Sequence, residues 1–224
     1  MPIIAIPSGT RVFRIHRLGH GAVFFSPPVD PATGERQPPT YRFDSATGAF
    51  GVLYAAEQFE GAFVETILRN PQLTFVSQNY VTLRGVTELA CSRELRLVDM
   101  HGRGPSRIGT TNAVSTGPYA PCRAWSDYLY SHRARPDGIA YASRHNPLQI
   151  CYAIFERSDL SFTSGRPVPS ADMFAGNPHD TASLQQDHDQ ALTQWCRPLL
   201  WGSDRMSERT PAHCPAKAFI ITAV

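Results

Sequence analysis

The sequence predicts an α+β domain rather than a doubly wound sheet. Short strand-like runs have helical segments interspersed among them. The length, 224 residues, suits one domain with a sizeable core. An apolar fraction of 42% against a charged fraction of 18% excludes wholesale disorder.

The first strand signal is Arg11-Val-Phe-Arg-Ile-His16, where Val12, Arg14 and His16 alternate with Arg11, Phe13 and Ile15. A proline-rich loop, Ser26 to Thr40, follows; loops of that length in a compact domain are often either mobile or functional. Tyr41-Arg42-Phe43 leads into a turn-rich link from Asp44 to Gly51, and Val52 to Ala55 reads as a short buried strand. A helix is expected from Gln58 to Arg69, stopped by Asn70-Pro71. Strand-like runs come next, at Leu73 to Leu83 and Leu95 to Met100, then a helix from Ala124 to His132. The turn Arg135-Pro-Asp-Gly138 precedes two strands, Ile139 to Ser143 and Gln149 to Phe155, separated by the loop Arg144-His-Asn-Pro147. Ser158 to Thr181 is loop-like, Ala182 to Trp195 has a helical pattern, and Ala218 to Val224 a strand pattern.

A formal net charge of +2 and a pI near 8.3 give no argument for nucleic acid or membrane as the main partner. Basic residues are nearly all arginine; Lys217 is the one lysine. Genomic base composition explains this plainly, while guanidinium forks also suit bidentate phosphate binding. The five cysteines are scattered without C-x-x-C spacing, as expected of free thiols in a reducing compartment, and no metal site is expected. The patch Ile3 to Ile6 lacks a basic leader, and no apolar run is long enough to span a bilayer, so the expected location is cytoplasmic.

On the Gln58–Arg69 helix, Gln58, Gly61, Glu65 and Arg69 share a narrow polar stripe on a mostly apolar segment, with Glu60 the one exception on the other side. Glu65 therefore either faces a cleft or forms an exposed i, i+4 pair with Arg69 worth a few tenths of a kcal/mol. Ser143 and His145 lack the G-x-S-x-G elbow of a hydrolase. His16 with His20, Asp187-His188-Asp189 and Gly19-His20-Gly21 read as ordinary surface or turn features. Trp125 is a core anchor by its chemistry, the alternative being that it borders a ligand.

Several segments in order resemble the RES-domain family, named for an Arg, a Glu and a Ser. They are Arg11-Val-Phe-Arg14, Tyr41-Arg42-Phe43, Gly51 to Glu57, Ala62-Phe-Val-Glu-Thr66, Leu97-Val-Asp-Met100, Arg123-Ala-Trp125 and Asp137 to His145. The resemblance implies a split, bent sheet core with flanking helices, similar to the ADP-ribosyltransferase toxin fold. It implies residues 1–157 as the RES-like catalytic core and 158–224 as an extension packed on the same domain. It implies an enzyme that cleaves the nicotinamide–ribose bond of NAD⁺ by phosphorolysis or hydrolysis, with protein ADP-ribosylation and non-catalytic nucleotide or partner binding as alternatives. Under it Glu65 is the catalytic carboxylate, Arg42 the diphosphate ligand and Tyr54 the nicotinamide-stacking residue. Ser143 is then a hydrogen-bond donor to ribose or phosphate, with Arg14, Arg144 and Trp125 as further substrate contacts. NAD⁺ would be substrate rather than cofactor, inorganic phosphate a possible co-substrate, and an antitoxin protein the partner covering the cleft. The family arginine is often followed by Trp, where Phe43 stands here.

Overall fold

A computed structural model describes residues 1–26, 29–30, 32–35, 37–70, 75–170 and 218–220. The chain opens with β1 (Ile3–Ile6) and β2 (Arg11–Arg17), and after a long loop forms β3 (Val52–Ala56) and α1 (Phe59–Thr66). Next come β4 (Phe75–Ser77), α2 (Gln78–Thr82), β5 (Arg84–Cys91) and β6 (Leu95–Met100). Three helices, α3 (Gly104–Arg107), α4 (Ala113–Thr116) and α5 (Tyr119–Ser131), precede β7 (Gly138–Ala142) and β8 (Ile150–Phe155). Short strands β9 (Phe162–Ser164), β10 (Val168–Pro169) and β11 (Ala218–Ile220) complete the set.

The main sheet is mixed, in the order β1-β6-β7-β8-β3-β2-β5, with β9 and β10 both pairing to the outer edge of β5. All neighbours are antiparallel except β6 and β7. A parallel pair needs a long crossover, and α3, α4 and α5 occupy it. The α+β class is therefore as expected.

The sheet is nearly parted at one seam. β2 pairs with β5 along its whole length, from Arg11↔Ala90 to Arg17↔Arg84. Toward β3 it is in register only at Phe13↔Ala56. The split that the resemblance implies lies there, and the two strands diverge from it to leave a cleft.

Both faces of the central strands are covered. Along β8, Cys151, Ala153 and Phe155 join one apolar cluster, while Tyr152 and Ile154 join the other. Strands buried on both faces read as near-continuous apolar runs, which is why this element was visible in the sequence. Strand β5 was not foreseen, because Gly85, Thr87 and Glu88 interrupt its apolar pattern. The Leu73–Leu83 run is not one strand: Ser77 ends β4, and its Oγ accepts from the Tyr80 N–H at 3.2 Å to start α2. Helix α5 begins before Ala124, since Pro121 falls in its first turn, where no intrahelical N–H bond is lost. The loop-like stretch after Ser158 contains β9 and β10, so the sheet continues past residue 157. β11 pairs antiparallel with β4, and the expected helix Ala182–Trp195 lies outside the described residues.

No helix among the described residues is long and apolar enough to cross a membrane.

Candidate active site

The seam between β2 and β3 opens into a cleft of about 480 Å³, floored by β2, β3 and Tyr141 and walled by α1. Helix α1 approaches closely because Gly61 has no side chain: a Cβ there would stand 2.9 Å from the Ala56 Cβ. Gly61, Glu65 and, past the end of the helix, Arg69 line the cleft.

Glu65 is half-buried, and no ion pair to Arg69 forms among the described residues. Its Oε1 instead accepts from the Ser143 Oγ at 2.6 Å and from the Arg144 N–H at 3.1 Å. Ser143 follows β7 and is 1% exposed. Its oxygen accepts the N–H groups of His145 and Asn146, each at 3.2 Å. A hydroxyl has two lone pairs and one proton, so the proton goes to Glu65. Ser143 thus positions the carboxylate. The sequence reading gave that proton to ribose or phosphate; in the structure it is engaged by Glu65.

Arg42 lines the cleft although only 8% exposed. Its Nη1 donates to the Gly117 carbonyl at 2.6 Å and meets the Cys122 Sγ at 3.5 Å, and its guanidinium lies 4.7 Å from the Tyr119 ring centre. Its Nε and Nη2 have no hydrogen-bond partner among the described residues, which leaves one edge of the fork for a ligand.

Tyr54 on β3 donates from its hydroxyl to Asp44 Oδ1 at 2.9 Å and accepts the Phe43 N–H at 3.0 Å. Burial first, and the Asp44 carboxylate second, hold its phenol well above the ordinary value near 10, so it stays neutral. The Tyr54 ring is tilted against Tyr41 with centres 5.4 Å apart.

Asp44 was missed in the sequence. Its Oδ2 accepts from the N–H groups of Thr40 and Tyr41 at 2.8 and 2.7 Å, so one carboxylate ties the Arg42 loop to β3. Ser126 and Arg123 of α5 fasten the same loop through the carbonyls of Phe43, Tyr41 and Pro39. Asp followed by Ser in a turn-rich link was the only local hint.

Arg14 lines the cleft and donates to the Ala22 carbonyl at 2.7 Å; burial lowers its guanidinium to about 10, so it remains charged at neutral pH. Arg144 is exposed at the rim. Arg17, Arg69 and Arg84 join them, and the sequence reading assigned none of these three to the site. Tyr119 and Tyr41 also line it, with Arg69 Nη2 donating to the Tyr119 hydroxyl at 3.4 Å and stacking over Tyr41. Six arginines face a lining in which Glu65 is the only carboxylate among the described residues, on a chain whose net charge is +2. Such a hollow favours an anionic ligand carrying one locally cationic group.

Trp125 is corrected: it lines a separate hollow with Ile108, Tyr128 and His132, packed edge-on to Tyr128. Among the described residues no group of three or more His, Cys, Asp or Glu is arranged to hold a metal. The thiols of Cys91, Cys122 and Cys151 are free and buried; burial pushes the Cys151 thiol far up, leaving it protonated.

A comparison with curated proteins finds no match. Among solved structures, the MbcT–MbcA toxin–antitoxin complex of M. tuberculosis is similar at 13% identity and a TM-score of 0.48, over 75% of this chain and 88% of that chain. The family model for the RES domain matches residues 11–174, which hold every wall of the cleft described above. On that match, the chain belongs to the RES domain family.

Proposed function

We propose that the chain cleaves the nicotinamide–ribose bond of NAD⁺. The observation that carries this reading is a carboxylate held by Ser143 and the Arg144 N–H inside an otherwise cationic cleft. As the C–N bond breaks, its electron pair leaves with neutral nicotinamide and the ribose becomes oxocarbenium-like. Glu65 would stabilise that positive charge through Oε2, because Oε1 is already engaged. The free edge of Arg42 suits the diphosphate, and the neutral Tyr54 ring offers a face for the nicotinamide. Water at the ribose carbon gives ADP-ribose and a proton; inorganic phosphate gives ADP-ribose phosphate. RES membership further supports a toxin role in which a cognate antitoxin covers the cleft.

The test is incubation of the full chain with NAD⁺, with and without phosphate, followed by product masses. Glu65→Gln should lower the rate by about 100-fold or more with the fold intact, as for loss of a group aimed at transition-state charge. A folded, fully active Glu65→Gln enzyme rejects the assignment. ADP-ribose attached to a protein would move the reading to mono-ADP-ribosylation.

A further inference from the structure

We propose a second phosphate subsite between Arg17 and Arg84, built to take the 2′-phosphate of an adenosine ribose, so that NADP⁺ is a ligand alongside NAD⁺. The identity of the ligand rests on the dinucleotide reading above, whereas the anion site rests on the geometry of the β2–β5 pair.

Arg17 and Arg84 are directly opposite one another across that antiparallel pair. Like charges so placed destabilise a sheet, and opposite charges stabilise it. Elsewhere on the same two strands Arg11 does find an opposite charge, in Glu88, its diagonal neighbour, at 3.1 Å. Among the described residues, neither Arg17 nor Arg84 has a carboxylate within ion-pair distance. Both line the cleft, where the one carboxylate among the described residues is already bonded to Ser143. A dianionic phosphate supplies the missing charge.

Arg84 is also preorganised for such a ligand. Its Nη1 donates to the Tyr80 carbonyl at 2.6 Å, and its guanidinium lies 3.4 Å from the centre of the Tyr80 ring. The Tyr80 hydroxyl is in turn anchored on the Thr66 carbonyl at 3.1 Å, at the end of α1. Stacking and one fixed bond restrict the side chain before any ligand arrives, so less entropy is lost on binding. Nε and Nη2 of Arg84 make no hydrogen bond to a described residue.

Position along the cleft selects the adenosine end. Arg17 is four residues from Phe13, the seam residue, which at the rise of a strand is about 13 Å. A phosphate held there stands at the end of β2 away from the Phe13–Ala56 seam, whereas Tyr54, to which the proposed function gives the nicotinamide, is on β3, the other strand of that seam. The other end of an extended dinucleotide reaches that far, and an arginine near the adenosine ribose is the usual means of accommodating a 2′-phosphate.

The experiment is titration calorimetry of the full chain with 5′-AMP, adenosine 2′,5′-bisphosphate and adenosine 3′,5′-bisphosphate at fixed ionic strength. Wild type should bind the 2′,5′-bisphosphate about 10-fold or more tighter than 5′-AMP, and tighter than the 3′,5′ isomer. Arg17→Ala and Arg84→Gln should each reduce that advantage to within about 3-fold. The proposal is overturned if the two bisphosphates bind alike, if the advantage survives both substitutions, or if none of the three binds. Should Arg84→Gln fail to fold, the exposed Arg17→Ala variant and the wild-type ligand series decide alone. NAD⁺ cleavage by wild type, run in parallel, separates the two readings. Cleavage without 2′-phosphate preference sinks the subsite only; preference without cleavage sinks the catalytic reading only.

Discussion

At the scale of single residues, the arrangement around Ser143 is decided by hydrogen-bond direction. Two backbone N–H groups fill the lone pairs of its oxygen, and the remaining proton has one acceptor in reach, Glu65. Ser143→Ala should therefore lower kcat by about 10-fold or more while leaving KM for NAD⁺ within about 3-fold. It should also cost about 1–3 kcal/mol of stability, because the buried Asn146 N–H and the part-buried His145 N–H lose their acceptor. Steady-state kinetics with a denaturation curve check both, and a change confined to KM would place Ser143 against the ligand instead. The type of residue at 42, 54, 65 and 143 was legible in the sequence. The partner of each was not, because a carboxylate can serve a salt bridge, a cap or a catalytic role with the same neighbours in the chain. Asp44 is the clearest case: its three donors come from the Thr40–Tyr41 turn and from β3, and only folding brings them to one carboxylate.

At the scale of elements, close approach controls where the cleft can exist. Gly138 opens β7 at a point where a Cβ would overlap the Ala153 carbonyl oxygen and crowd the Ile154 backbone. Gly138→Ala should force β7 away from β8 and destabilise the protein by about 1–3 kcal/mol, as overpacking does. Thermal denaturation measures this, and an unchanged midpoint would show that the strands can part there freely. Because Ser143 follows the last residue of β7, the same substitution should disturb the Ser143–Glu65 bond. Elements with a continuous apolar run or a clear stop, such as β3, β8 and α1, were visible beforehand. Strand β5 was hidden by its polar residues, though it is the strand to which β2, β9 and β10 all pair.

At the scale of the whole molecule, one buried carboxylate joins distant parts of the sheet. Asp137 receives both Nη groups of Arg93 at 2.9 and 2.7 Å and the Arg96 N–H at 2.8 Å, while Arg93 also reaches Asp159 at 2.9 Å. The β5–β6 turn, the start of β7 and the turn after β8 are thereby held together. Burial raises the Asp137 carboxyl, but the Arg93 and Arg96 hydrogen bonds outweigh it, and the folded pKa lies below the ordinary carboxylate value. The stability this linkage confers is therefore complete above the unfolded pKa of about 4 and is lost as pH falls through the lower folded value. Asp137→Asn should be less stable than wild type by about 2 kcal/mol near neutral pH, and the gap should narrow below about pH 4. Urea midpoints across pH report it; a gap that stays constant into acid would remove the ionised pair from the account.

What the amino-acid order determined alone is local and periodic: which runs are apolar on both faces, where proline and glycine end an element, and that Glu65 sits on the one polar stripe of an apolar helix. Its ordered motifs also carried the RES likeness that the family match confirms. The tertiary structure decided the charge of the cleft and the loads on its residues. Arginines from β2, the start of β5 and the segments around residues 42, 69 and 144 converge on one carboxylate among the described residues only because β2 and β3 diverge after a single register pair. Coulombic fields and hydrogen-bond directions depend on distances between residues far apart in the chain, and no periodicity encodes those distances.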